Sequence, residues 1–158
     1  MDSNRIIFDF NGEEHIKKAL DSARLDLSLK EMICGPVHAE VADAHRKLGD
    51  LYTNRFLKCW EEAAAHYLSS VEIIRSIDGD YTPEAANNLE RAASCYGQKG
   101  HYQKALDLEL LAYETILNHP ESFPTSFNSI YNDIAFYYKQ LGDDNKAREY
   151  WNKMSWNR

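Results

Sequence analysis

Glycine and proline are scarce, seven and four in 158 residues, together about 7% against a usual share near ~12%. So few turn-formers favour long helices with few breaks. Cysteine is sparse as well. Cys34, Cys59 and Cys95 are odd in number and lack Cys-x-x-Cys spacing, which argues against a disulfide framework or zinc site and for a reducing compartment. They read as small buried hydrophobes. Long apolar runs are missing too. Ile6-Ile7-Phe8 is too short for a signal-peptide core, and nothing approaches the ~20 residues that span a bilayer. The chain is therefore expected to be soluble and cytoplasmic, with no membrane insertion. Positive charge is in deficit: 18 Lys and Arg stand against 25 Asp and Glu, a formal charge of −7. That balance opposes a phosphate backbone, so no nucleic-acid partner is expected. What is present excludes disorder, at 44% hydrophobic and 12% aromatic residues. A chain of this length buries roughly 70% of its unfolded surface and makes one domain or one run of stacked repeats.

Self-comparison is the informative step. Three segments share one internal spacing: His45-x-x-Leu48-Gly49-x-x-Tyr52, Leu89-x-x-Ala92-Ala93-x-x-Tyr96 and Tyr131-x-x-Ile134-Ala135-x-x-Tyr138. Each is followed by an alanine, Ala63, Ala105 or Ala147, at a constant interval of 42 residues. Four residues later stand Tyr67 and Trp151, but Glu109 breaks the rule in the second unit. The interval from Tyr52 to Ala63 is two residues longer than its counterparts, which places an insertion near Phe56 and Leu57.

Positions i, i+3, i+4 and i+7 share one helical face. The small residue (Gly49, Ala93, Ala135) admits a second helix, and the tyrosine fills the gap beside it. Each unit is thus an antiparallel helix pair that must stack on its neighbours to cover its apolar faces. First helices are expected over 37–54, 83–98 and 126–141, and second helices over 58–77, 101–118 and 143–155. Gly100 and Gly142 mark the turns within pairs. The stretches Asp78 through Pro83 and His119 through Pro124 separate them. Upstream, 13–33 reads as a further helix with Ile16, Ala19, Ala23 and Leu27 on one face, the remnant of an earlier unit. In the second unit Leu108 is expected to replace the missing aromatic, with Glu109 turned to solvent. The fold class is all-α: a right-handed α-α solenoid of three helix pairs preceded by one helix. The whole of 1–158 is one domain, divided into a leading helix (13–35) and repeats at 36–78, 79–120 and 121–158.

These residues resemble the tetratricopeptide repeat, Trp-x₂-Leu-Gly-x₂-Tyr followed by Ala-x₃-Phe. Leu48-Gly49-Asp50-Leu51-Tyr52 matches its first helix closely. The 42-residue period exceeds the usual 34 and is similar to the longer repeats of kinesin light chain. The resemblance implies a non-catalytic interaction module, an adaptor or scaffold, whose first helices line a concave groove for a partner's peptide or helix. Some members clamp a C-terminal carboxylate with Lys, Asn and Arg. Here Arg46 offers a cation, but Asp50 stands in place of asparagine and would repel the carboxylate.

Once the packing face is assigned, the residues left over run in stripes along the first helices. The candidate groove set is Arg46, Lys47, Asp50 and Asn54 in the first unit, Asn87, Glu90, Arg91 and Ser94 in the second, and Asn132, Phe136 and Lys139 in the third. Arg46, Lys47 and Arg91 would supply a positive end for an acidic, polar peptide. The same residues also read as ordinary solvated helix faces.

No catalytic residue, metal ligand or cofactor is expected. His-Glu-x-x-His, a phosphate loop, a nucleophile elbow and a Cys/His cluster are all missing. His45 and His66 can meet between the helices of one pair, yet His45 sits at a packing position, and His66 reads as a surface partner of Glu62. Asp78-Gly79-Asp80 lacks EF-hand spacing and reads as a turn. Trp151, Met154 and Trp156 form a candidate apolar patch at the end of the last unit, which suggests a homodimer through Trp151 and Trp156. The alternative function is then a regulatory or oligomerisation segment of a larger signalling protein.

Overall fold

A computed structural model of the chain describes residues 3–80, 82–118 and 127–155, with side chains described for 12–80, 82–118 and 127–154. The described residues hold seven helices and no strand: α1 (Ser3–Cys34), α2 (Ala39–Tyr52), α3 (Trp60–Asp78), α4 (Pro83–Gln98), α5 (Tyr102–Asn118), α6 (Asn128–Gln140) and α7 (Asp144–Ser155). The fold is an all-α helical repeat. Each helix packs chiefly on its neighbours in sequence, as a stack of antiparallel rods requires. The connector from His119 through Pro124 and the side chain of Trp156 lie outside the described residues.

Packing follows the small-residue register. Leu48, Ala63, Ala92, Ala93, Ala105, Ile134, Ala135 and Ala147 are all fully buried. Two apolar clusters form, one around Leu20, Leu48 and Tyr67 and one around Leu89, Ile116 and Ile134. Leu68, Tyr96 and Leu108 pack against both, so the core is continuous along the stack. Aromatic rings of Tyr113, Tyr131, Tyr138 and Tyr150 fill the space between the last two pairs.

Helix ends obey local chemistry. Thr82 caps α4 by accepting from the Ala85 N–H at 3.1 Å, with Pro83 in the first turn. Each turn within a pair closes on the carbonyl of the repeat tyrosine. The His101 N–H donates to Tyr96 O (2.9 Å) and the Asp143 N–H to Tyr138 O (2.9 Å). In the first pair the Cys59 N–H donates to Tyr52 O (3.0 Å). The same bond thus spans two more residues in the first unit, a direct measure of its insertion. The residue before each donor has positive φ: Gly100 (76°), Gly142 (84°) and, in the first unit, Lys58 (48°).

α1 departs from expectation in two ways. It begins at Ser3 rather than Glu13. Ala19 is exposed while Leu20 is buried, so the packing face is Ile16, Leu20, Ala23 and Leu27. A leucine removes far more apolar area from water than an alanine, and it sets the rotation of the helix. The insertion secures α1. The Phe56 ring lies so close to Gly12 that a Cβ there would stand 2.6 Å from it, and Leu57 packs in the cluster of Leu20. Arg24 also donates to the Tyr52 hydroxyl at 2.7 Å.

Candidate partner-binding face

α2, α4 and α6 lie side by side and present the polar stripes. Across the first gap Asp50 is the junction. Its Oδ1 accepts from the Tyr67 hydroxyl (2.7 Å) and from Arg91 Nη1 (2.7 Å), and its Oδ2 from Arg46 Nη1 (2.9 Å). Three helices are thereby tied through one carboxylate. Burial and the bond to Asp50 push the Tyr67 hydroxyl up to about 12. Beneath it the ring rests on Gly49, where a Cβ would stand 2.7 Å from a ring carbon.

The cations of this face already have partners. Arg46 also donates to Asp43 Oδ1 (2.6 Å), Lys47 pairs with Asp43 Oδ2 (2.7 Å), and Arg91 Nε donates to Asn87 Oδ1 (2.8 Å). The bonds to Asp43 hold the Arg46 guanidinium above its ordinary range. Asn54 is not on a helix: α2 stops at Tyr52, and the Asn54 side chain accepts from the Phe56 N–H at 3.1 Å, bracing the insertion. Lys139 pairs with Asp144 at 2.8 Å. Ser94 and Asn132 are exposed, and Phe136 stands half-open with its ring edge-on to Tyr102.

Acids dominate the second gap. Glu109, expected in solvent, is only 2% exposed, and its Oε1 has no hydrogen-bond partner. The reason lies in the next unit. Tyr137 of α6 reaches over to α4, its hydroxyl bonded to Ala93 O (3.4 Å) and its ring against Gly97, so that the missing aromatic is supplied from outside. Leu108 does pack in the core, but Glu109 is sealed in beside it. Burial, then Asp133 and Glu90, push the Glu109 carboxyl up to about 9. Glu90 is raised by burial and by Asp133, and Asp133 is raised by burial. Among the described residues no lysine or arginine forms an ion pair with any of the three. Sequence periodicity alone did not show this cluster, because its members come from three helices.

His45 and His66 meet between α2 and α3, their Nδ1 atoms 2.9 Å apart and the His66 ring stacked on Tyr52. Each is held below the ordinary imidazole range by burial. His66 is therefore bonded inward and is not a surface partner of Glu62. Among the described residues no group of three or more His, Cys, Asp and Glu side chains has a metal-holding arrangement, and no helix is long and apolar enough to cross a membrane.

Helix pairs, small-residue contacts and a repeated tyrosine-anchored turn place this fold, and comparison with known proteins agrees. Residues 40–116 match the family model of the tetratricopeptide repeat. Over those residues the chain carries tetratricopeptide repeats. No curated protein matches its sequence significantly. Solved structures do resemble it. BtubC (BKLC) from P. vanneervenii superposes with a TM-score of 0.78 at 18% identity, over 90% of this chain and 56% of that one. The tetratricopeptide domain of Arabidopsis FLU gives 0.64 at 17% identity, over 73% and 92% of the two chains. Nearly identical tetratricopeptide-like repeats ascribed to a kinesin light chain of Podosopora anserina give 0.71 at 16%, over 93% and 68%. These likenesses are of fold. The chain spans little more than half the length of the BtubC structure. Tetratricopeptide repeats serve in general as protein–protein interaction modules, and the long kinesin-light-chain type fits the 42-residue period.

Proposed function

We propose that this chain is a non-catalytic interaction module whose concave groove, along α2, α4 and α6, receives a basic peptide or helix of a protein partner. The observation that carries this reading is a contrast of pairing. Arg46, Lys47 and Arg91 are all engaged by Asp43 and Asp50, whereas among the described residues Glu90, Asp133 and Glu109 form no ion pair. A ligand cation would be drawn to Glu90 and Asp133, whose carboxylates repel each other, and a ligand carboxylate would first have to break existing pairs. The polarity is thus opposite to that expected from the stripes alone. Asn87, Ser94, Asn132, Phe136 and Lys139 would frame the contact, with Arg46, Lys47, Asp50 and Arg91 as its rigid floor. A basic and an acidic peptide of equal length should be titrated into the wild type and into Glu90→Gln/Asp133→Asn. The basic peptide should bind, weaken with salt, and lose about tenfold in the double variant. Preference for the acidic peptide, or unchanged affinity in the variant, would overturn the reading.

Self-association is the alternative, an oligomerisation role in a larger protein without a groove ligand. It is favoured by exposed apolar side chains at both ends: Trp151 (39% exposed) on α7, and Leu25, Leu29, Met32 and Ile33 on α1. Sedimentation of wild type beside a Trp151→Ser variant tests the dimer suggested for Trp151 and Trp156. A concentration-dependent dimer lost in the variant supports it, and a monomer at all concentrations removes it.

A further inference from the structure

We propose that a cavity between α2, α3 and α4 is the seat of a lysine side chain presented by the partner peptide. This inference rests on the groove reading above and assigns one residue type to one position within it. The cavity measures about 170 Å³ and is walled by Ala39, Ala42, Ile74 and Ile77. That is comparable to the ~150 Å³ engineered cavity that admits benzene, and many times what one water needs.

Asn88 lines this cavity and an adjoining depression beside Arg46 and Pro83. It is 1% exposed, its Nδ2 donates to Ser70 Oγ at 3.0 Å, and its Oδ1 has no partner. A buried carbonyl oxygen without a donor is costly to fold, so it marks a place where a ligand N–H is wanted. Asp78 and Glu84 also line the cavity, and among the described residues neither side chain has a hydrogen bond or an ion pair. Asp78 ends α3, where unpaired carbonyls already make the potential negative. The positive ends of α2 and α4 carry their own acids, Glu40 and Glu84, in the first turn. Arg46, the cation at the rim, is held by Asp43 and Asp50. The site is therefore apolar along its walls, acidic at its rim and short of one donor at its base.

A lysine meets each requirement. Its methylene stem can lie along Ile74 and Ile77 while its ammonium, with three donors, serves Asn88 and a rim carboxylate together. Arginine fits less well, because its planar fork is matched by a bidentate carboxylate rather than by a single amide oxygen.

The test is an NMR titration of the whole chain with Nα-acetyl-lysine N-methylamide. Shifts should concentrate on the Ile74 and Ile77 methyls and the Asn88 side-chain amide. Acetylating the ε-amine of the probe should abolish them, and Asp78→Asn/Glu84→Gln should weaken binding about tenfold. Both variant positions are exposed, so folding is retained. Equal shifts from the acetylated probe, unchanged affinity in the double variant, or no shift at these groups would overturn the assignment. An oligolysine peptide separates the two levels. If it perturbs Glu90 and Asp133 but leaves Ile74 and Ile77 unmoved, the groove reading stands and the lysine seat falls. If it perturbs neither set, both fall.

Discussion

The first and second repeats solve one packing problem in opposite ways. In the first, glycine at position 49 lets the Tyr67 ring lie on α2, and the hydroxyl ends on Asp50 with Arg91 completing the junction. Ring, carboxylate and guanidinium all find partners, so the site is tight and electrically closed. In the second, Ala93 replaces the glycine and Glu109 replaces the ring. The aromatic arrives from the third unit as Tyr137, and Glu109 is left buried without a partner. One junction stabilises the stack, and the other buries a carboxyl in its neutral form beside the face proposed to bind. Uncompensated groups persist in folded proteins mainly where function uses them.

The sharpest way to test that contrast is to neutralise Glu109. Its folded-state carboxyl is raised to about 9 from an ordinary value near 4.5. A raised acid contributes its full stability below about pH 4.5 and loses it as pH climbs toward 9, because the unfolded chain ionises freely while the folded one does not. Wild-type stability should therefore fall by about 1 kcal/mol per pH unit between roughly pH 5 and 8. Glu109→Gln should remove that slope and exceed wild type by a few kcal/mol at pH 8. Urea unfolding at several pH values decides it, and parallel curves for the two proteins would refute the burial argument.

Exchanging the small residues probes the other side. Gly49→Ala forces a Cβ against a ring tethered at its hydroxyl and should cost about 1–3 kcal/mol. Ala93→Gly should cost only ~1 kcal/mol, the ordinary penalty of glycine inside a helix. Denaturation midpoints compare them directly. Equal losses would mean that the two junctions are not different after all.

Much of this was legible in the residues. The helix pairs and the 42-residue period follow from spacing, because a small residue and a tyrosine one turn apart act within a single pair; spacing allows His45 to meet His66 but equally allows His66 to face Glu62 at the surface. What escaped the sequence reading crosses between units. A helical wheel of α5 cannot show Tyr137 arriving from α6, so it turns Glu109 to solvent and leaves Leu108 alone to fill the gap. Arg46 and Arg91 fall on the expected stripe, yet their sharing of Asp50 depends on two helices standing side by side. Asn54 was displaced from α2 by an insertion whose length was readable and whose path was not.

A smaller effect sets the acid limit of the first repeat. The bond between the His45 and His66 Nδ1 atoms needs one nitrogen to carry a hydrogen and the other to be bare. Glu31 faces His45 with a favourable charge, while Arg24 and His45 face His66 with unfavourable ones. Both groups are depressed in the folded state, so their contribution is present above the ordinary value near ~6.5 and is lost as pH falls below it. The direction is opposite to that of Glu109. Thermal midpoints should drop between pH 7 and 5 more in Glu109→Gln than in Glu109→Gln/His66→Gln. Equal drops would mean that the histidine pair does not set the acid limb.

The smallest expected change concerns the turn. Gly100 and Gly142 carry positive φ without strain, but Lys58 does the same job in the first repeat with a side chain. A left-handed residue other than glycine costs about 1–2 kcal/mol, and glycine returns part of that gain through the greater freedom of the unfolded chain. Lys58→Gly should thus raise stability by roughly 0.5 kcal/mol, while Gly100→Lys and Gly142→Lys lower it by about 1 kcal/mol or more. If Lys58→Gly instead destabilises, the lysine is held by interactions that outweigh its backbone strain. The insertion would then have to be regarded as a built clasp for α1 rather than a tolerated irregularity in the repeat.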